Sequence, residues 1–139
     1  MKTSRLVSIA AALLAAACAS QPKEPPPKPF TVTRWELQLE LPARGEKPWI
    51  RFGDGRIEGF GGCNRIAAHY VEDAVGARAI GIGRIEARPG GCDRDERELQ
   101  ARWLAVLQYV ASYSITGDTM TMTGSAGTLR FRAADGKKK

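Results

Sequence analysis

Short alternating runs of apolar and polar residues dominate this chain, and only one stretch recurs at helical spacing. Trp35, Leu37, Leu39 and Leu41 alternate with Glu36, Gln38 and Glu40, the period-2 pattern of a strand with one buried face. Pro42 to Pro48 reads as a loop. Trp49 to Phe52 and Arg56 to Phe60 are short strands joined across Asp54-Gly55, a dipeptide that favours tight hairpins. Gly59, Gly61 and Gly62 then punctuate the chain before Cys63 and read as turns and bulges. Ala79, Ile80, Ile82 and Ile85 predict a further strand, with Gly81 and Gly83 allowing a bulge or close backbone approach. At the C-terminal end Tyr113/Ile115, Met120/Met122 and Leu129/Phe131 form three alternating runs. Gly117-Asp118 and Gly124 to Gly127 separate them, which predicts a three-stranded meander with the methionines as core filler.

The helical stretch lies between about Asp95 and Ala111. Leu99, Trp103, Val106, Leu107 and Val110 make one apolar stripe at 3–4 residue spacing. Asp93 or Asp95 can cap its start, and Glu96 and Glu98 suit the positive end of the helix dipole. About seven or eight strands with one amphipathic helix predict an α+β fold that is mainly β. Its expected form is a curled antiparallel sheet or partly open barrel packed on the helix.

Of the 139 residues, the ends belong to something other than this fold. Lys2 and Arg5 form a positive start, and Leu6 to Ala17 is an apolar stretch too short for a bilayer that needs about 20 helical residues. Ala15, Ala16 and Ala17 lead into Cys18, which resembles the lipobox of bacterial lipoproteins, with Ala15 where leucine is usual. The resemblance implies a signal peptide over 1–17, lipid on Cys18 and a membrane attachment that several acyl chains make effectively permanent. An ordinary secretory signal cleaved nearby is the alternative. Ala19 lacks the aspartate that holds such proteins at the inner membrane, so the expected location is the outer membrane, facing the periplasm. Residues 18–29 then form the lipidated cysteine and a proline-rich linker, in which polyproline II at about 3.1 Å per residue would reach roughly 30 Å. The domain proper is expected over 30–136 and a basic tail over 137–139.

Net charge follows the same division. The chain carries +6 and a pI near 9.5. Lys2 and Arg5 leave with the signal, Lys137 to Lys139 form the tail, and residues 30–136 hold fourteen basic and fourteen acidic side chains. With no net surplus in the domain, nucleic acid is not an expected partner. The lysine tail reads as solvated, or as attracted to anionic lipid head groups.

Cysteine count adds a second constraint. With Cys18 set aside, Cys63 and Cys92 remain in a compartment that permits disulfides. Their pairing is the expectation; a reactive thiol with His69 as its base is the rival. Two cysteines and one histidine show no recognisable zinc spacing, so no metal site is expected. The glycines from Gly53 to Gly62 flank a strand rather than open a helix, unlike a phosphate-cradling fingerprint. Asp93-Arg94-Asp95 lacks the glycine and terminal glutamate of an EF-hand loop. No serine occupies a Gly-x-Ser-x-Gly elbow, and no catalytic residue or cofactor is assigned.

One constellation remains. Trp35-x-Leu37, Gly62-Cys63-Asn64-Arg65, Tyr70, Cys92 before the helix, Trp103-Leu104 with Leu107, and Tyr113-x-Ile115-x-Gly117-Asp118 follow one another in order. Together they resemble the META domain family, the HslJ-like group of bacterial envelope proteins, over essentially all of Thr33 to Phe131. Three positions depart from that pattern: Ala68 for a glycine, Arg88 and Gly90 for Thr and Met, and Gln100 for a helix glutamate. The resemblance implies a small β-rich envelope domain with no established catalytic residue or cofactor. The expected function is a non-enzymatic envelope lipoprotein that supports envelope integrity or stress tolerance through binding. Asn64, Arg65, Tyr70 and Arg88 are the candidate binding residues, with Asn64 also readable as a turn residue. Rival readings are an inhibitor of lysozyme-like hydrolases and a pilot for an outer-membrane partner.

Overall fold

Nine strands and one helix arise from these patterns in the computed structural model, which describes residues 22–40, 43–73, 78–88 and 90–134. Residues 1–17, where a signal peptide is expected, and Cys18, Leu41, Pro42 and Lys137–Lys139 lie outside the described residues. In chain order the elements are β1 (Trp35–Leu37), β2 (Trp49–Gly53), β3 (Arg56–Phe60), β4 (Arg65–Glu72), β5 (Ile80–Ile82) and β6 (Glu86–Ala87). They continue with α1 (Arg94–Leu107), β7 (Val110–Thr116), β8 (Thr119–Gly124) and β9 (Gly127–Ala133).

The strands run side by side in the order β5-β4-β3-β2-β1-β9-β8-β7, each antiparallel to its neighbours. An antiparallel bridge between Ala79 and Ser112, and a hydrogen bond from Tyr113 N–H to the Arg78 carbonyl (3.1 Å), join the two ends of that row. The result is a nearly closed eight-stranded barrel, with the short β6 laid on the free edge of β4. Closure leaves few unpaired strand edges to solvent. The seam between β1 and β9 pairs Trp35 with Ala133 and Leu37 with Phe131, so the domain's first and last strands are neighbours.

Period-2 alternation decides which side chains enter the barrel. Trp35, Ile50, Phe52, Ile57, Met120, Met122 and Phe131 are fully buried there, which confirms the methionines as core. At the β2–β3 hairpin Asp54 (φ 50°) and Gly55 (φ 71°) take the two left-handed positions that a tight two-residue turn needs. Gly59 is not a bulge. It pairs in register with Ile50 and Ile66, and a Cβ there would overlap the Trp49 carbonyl.

The two mouths are closed differently. At one, α1 crosses the end of β3, the end of β5 and the β8–β9 turn, and sends Trp103 and Leu107 into the core. The Trp103 ring meets Phe131 edge-on at 6.3 Å. At the other, Phe30 is the plug, stacked between Phe52 and Tyr113 at 4.2 Å from each and edge-on to Tyr70. The chain around it is tied down. Lys28 N–H donates to the Gly117 carbonyl (2.8 Å), and Val32 N–H donates to that of Phe52 (3.0 Å). Val32 adopts φ 64°, a left-handed geometry costly for a β-branched side chain, while 73% exposed.

The helix is shorter than its apolar stripe predicts. Asp93 caps it in a capping box with Glu96, and it ends at Leu107 rather than near Ala111. The Gln108 amide donates to the carbonyls of Ile82 and Gly83 (3.1 and 2.9 Å) and accepts from Ile85 N–H (3.3 Å). This holds the helix end against β5. Val110 then pairs with Gly124 in β7 instead, and Ala111 sits at a bulge before Ser112 rejoins the ladder.

Candidate functional site

The Gly61–Arg65 segment turns β3 into β4 at the helix-covered mouth. Gly61 N–H donates to the Asn64 carbonyl (2.8 Å), and Gly62 takes φ 105°, which a side chain rarely adopts. Gln100 on α1 reaches into this turn. Its Oε1 accepts from Asn64 N–H (2.8 Å) and Cys63 N–H (3.3 Å), and its Nε2 donates to Asn64 Oδ1 (3.1 Å). Trp103 Nε1–H donates to the Gly61 carbonyl (2.7 Å). Asn64 Nδ2 lies 4.0 Å from the Cys92 sulfur, and a Cβ on Gly90 would stand 2.6 Å from that nitrogen. The Cys63–Cys92 disulfide, with Cα atoms 5.7 Å apart, completes the clamp between the turn and the start of α1.

That arrangement assigns Asn64 a structural task. Its side chain and backbone are spent on Gln100, Gly61 and Cys92, so it bonds the helix and its own turn. The departure at Gln100 also finds its reason, because an amide accepts two backbone N–H groups and donates to Asn64 at once.

Tyr70 is not a surface contact. Its position on β4 points inward, it is 8% exposed, and its ring sits edge-on to Phe52 at 5.2 Å. Burial first, then the charge of Glu72, raise its hydroxyl above the ordinary phenol range. Beside it, Tyr113 O–H donates to Glu72 Oε1. Burial, the hydrogen bond to Glu72 and that carboxylate's charge push Tyr113 up to about 12. This aromatic mouth is a packed plug with a polar rim.

Arg65 and Arg88, by contrast, are exposed and adjacent, with Arg88 N–H donating to the Arg65 carbonyl (3.2 Å). They belong to a wider feature that reading the motif alone misses. On the outer face of the barrel, register places Trp49, Phe60 and Arg65 side by side across β2, β3 and β4. Arg51 and Arg56 point the same way. Three guanidinium groups gather over the Trp49 ring: Arg34 at 4.5 Å, Arg65 at 5.6 Å and Arg51 at 5.8 Å. Trp49 is only 7% exposed there, although it lies on the outer face and does not join the core cluster inside the barrel. In a domain with no net charge, Arg34, Arg51, Arg56 and Arg65 therefore gather on one face, interleaved with Glu36, Glu46, Glu58 and Glu86. The signal was present, since inward Ile50 and Phe52 force Trp49 and Arg51 outward.

A groove of about 750 Å³ opens between α1 and the segment after β1, floored by Leu39, Leu99, Val106 and Leu129. Its rim carries both signs of charge, including Glu40, Asp95, Arg102 and Arg130. Among the described residues no group of three or more His, Cys, Asp or Glu could hold a metal ion, and no helix is long and apolar enough to cross a membrane. His69 is exposed on β4.

Residues 28–136 match the META domain family. No curated protein matches the chain. Among solved structures, an NMR structure of a protein from Burkholderia xenovorans shares 17% identity at a TM-score of 0.63, over 76% of this chain and 84% of that one. A second protein solved by NMR shares 20% identity at a TM-score of 0.58, over 74% of this chain and 90% of that one. At such identities the likeness is one of fold.

Proposed function

Because this chain belongs to the META domain family, we propose that it is a lipid-tethered envelope protein whose barrel binds a partner or ligand and so supports envelope integrity under stress. One observation carries the binding reading. The barrel interior is filled, both mouths are closed and the polar atoms of Asn64 are consumed by the clamp, while three guanidinium groups converge on Trp49 at the outer surface, where a partner can reach them. The envelope reading draws on the positive start, the apolar stretch of 6–17, Cys18 and the proline-rich residues that follow.

Two measurements test it together. Protein extracted from membranes is expected to carry a diacyl or triacyl mass increment and to expose two thiols only after reduction. In a deletion strain under envelope stress, the wild-type chain restores growth, whereas Arg65→Ala keeps its melting temperature and does not. An unlipidated product with a free Cys63 or Cys92, or full complementation by Arg65→Ala, refutes the corresponding half of the reading.

A further inference from the structure

We propose that the outer face of β2–β4 carries a phosphate-binding site in which Arg51 and Arg65 hold the anion above the Trp49 indole. This deepens the binding reading by naming the chemistry that the face would take. Arg34, Arg51 and Arg65 converge on one ring, yet only Arg34 is answered by carboxylates, Glu46 at 3.3 Å and Glu36 at 3.6 Å. Arg51 and Arg65 form no ion pair among the described residues. Glu58 stands opposite Arg51 in the β2–β3 register and does not pair with it. Arg34 Nε is buried at the same place without a hydrogen-bond partner. Like charges drawn together with their donors unspent are what an oxyanion resolves.

The supports are rigid. Trp49 is fixed by its own Nε1–H, which donates to Glu46 Oε1 (2.8 Å), and Glu46 in turn holds Arg34. The arginine stems rise from paired strands rather than loops, so the forks are preorganised. Phosphate suits two such forks because its oxygens can engage both. The indole is too covered to serve as a stacking platform, which disfavours a nucleobase.

The test uses the mature chain carrying Cys18→Ser, which retains every described residue and removes only the lipid. Nitrogen-15 spectra resolve the indole N–H of Trp35, Trp49 and Trp103, assigned through Trp49→Phe. Inorganic phosphate is one titrant, and monomeric dihexanoyl phosphatidylglycerol is the other. Saturable movement of the Trp49 signal, with Trp35 and Trp103 unmoved, is the expected result. Arg51→Gln or Arg65→Gln is expected to weaken binding about tenfold, the loss of one charge-assisted contact. Response to both titrants means a bare phosphate suffices; response to the phospholipid alone assigns the site to a lipid head group. A Trp49 signal that stays still with both, or moves equally in the doubly substituted Arg51→Gln, Arg65→Gln protein, overturns the proposal. This readout is independent of complementation, so either can fail without the other.

Discussion

Replacing Gln100 by alanine should loosen the clamp between the β3–β4 turn and α1, and the structure sets the size of the effect. The substitution removes two accepted hydrogen bonds, from Asn64 N–H at 2.8 Å and Cys63 N–H at 3.3 Å, and one donated to Asn64 Oδ1 at 3.1 Å. All three are partly buried. At about 1 kcal/mol net for each, with a further desolvation cost where a donor is left without water, the loss is about 3 kcal/mol. Gln100→Glu keeps the acceptor and loses the donor, so it should cost about 1 kcal/mol. Asn64→Ala combined with Gln100→Ala should cost less than the two separately, because they share a bond. Urea unfolding of the oxidised protein measures all four forms, and the slopes should agree with wild type. A loss below about 0.5 kcal/mol for Gln100→Ala, or strict additivity with Asn64→Ala, would refute the clamp, since surface substitutions commonly fall in that range.

Three further outcomes follow from the same geometry. Reducing the Cys63–Cys92 bond, which spans a sequence separation of 29, should lower stability by about 3–4 kcal/mol in the loop-entropy description; urea unfolding with and without dithiothreitol checks it. Tyr113, raised to about 12, holds its proton more tightly folded than unfolded. Its contribution is therefore complete below pH 10 and lost as pH rises through 12. An ultraviolet titration should show a late tyrosine that Tyr113→Phe removes and Glu72→Gln brings down; three tyrosines titrating together near 10 would contradict this. Val32→Asn should stabilise by about 1 kcal/mol, because asparagine tolerates the left-handed φ of 64° that valine occupies under strain. A lower urea midpoint would show that Val32 contributes packing instead.

Strands with clear alternation and glycine punctuation could be read from residues alone. The Asp54-Gly55 hairpin and the terminal meander lie where expected, because local turn chemistry and burial agree there. β4, the longest described strand, gives little signal between the Gly-Cys-Asn motif and the next apolar run. Its inward positions Ile66, Ala68 and Tyr70 include a small residue, which mutes the contrast with Arg65, Ala67 and His69. The residues alone place the helix end too late because Val110 satisfies both periods, the stripe of α1 and the inward face of β7; a tertiary contact through Gln108 decides between them. At the site, type and order sufficed to mark Cys63, Asn64 and Cys92, but not to say that Asn64 faces the helix while Arg65 faces solvent. Trp49 lay outside the motif, and its neighbours Arg34 and Arg65 are distant in sequence. Phe30 gave no periodic signal, since a single aromatic beside prolines has no pattern to join.

The seam between β1 and β9 bears on how the barrel is made. Trp35 cannot meet Ala133 until almost the whole domain has been delivered, and the loop closed at that moment is nearly as long as the domain itself. Local hairpins such as β2–β3 and β8–β9 can form early, but the cylinder is completed by the most distant pairing in the chain. Such topologies fold in milliseconds to seconds rather than microseconds. During that interval β1 presents an unpaired ladder to whatever lies beside it. A chain cut short before Gly127 loses its closing strand, leaving Trp35–Leu37 open to the wrong neighbour.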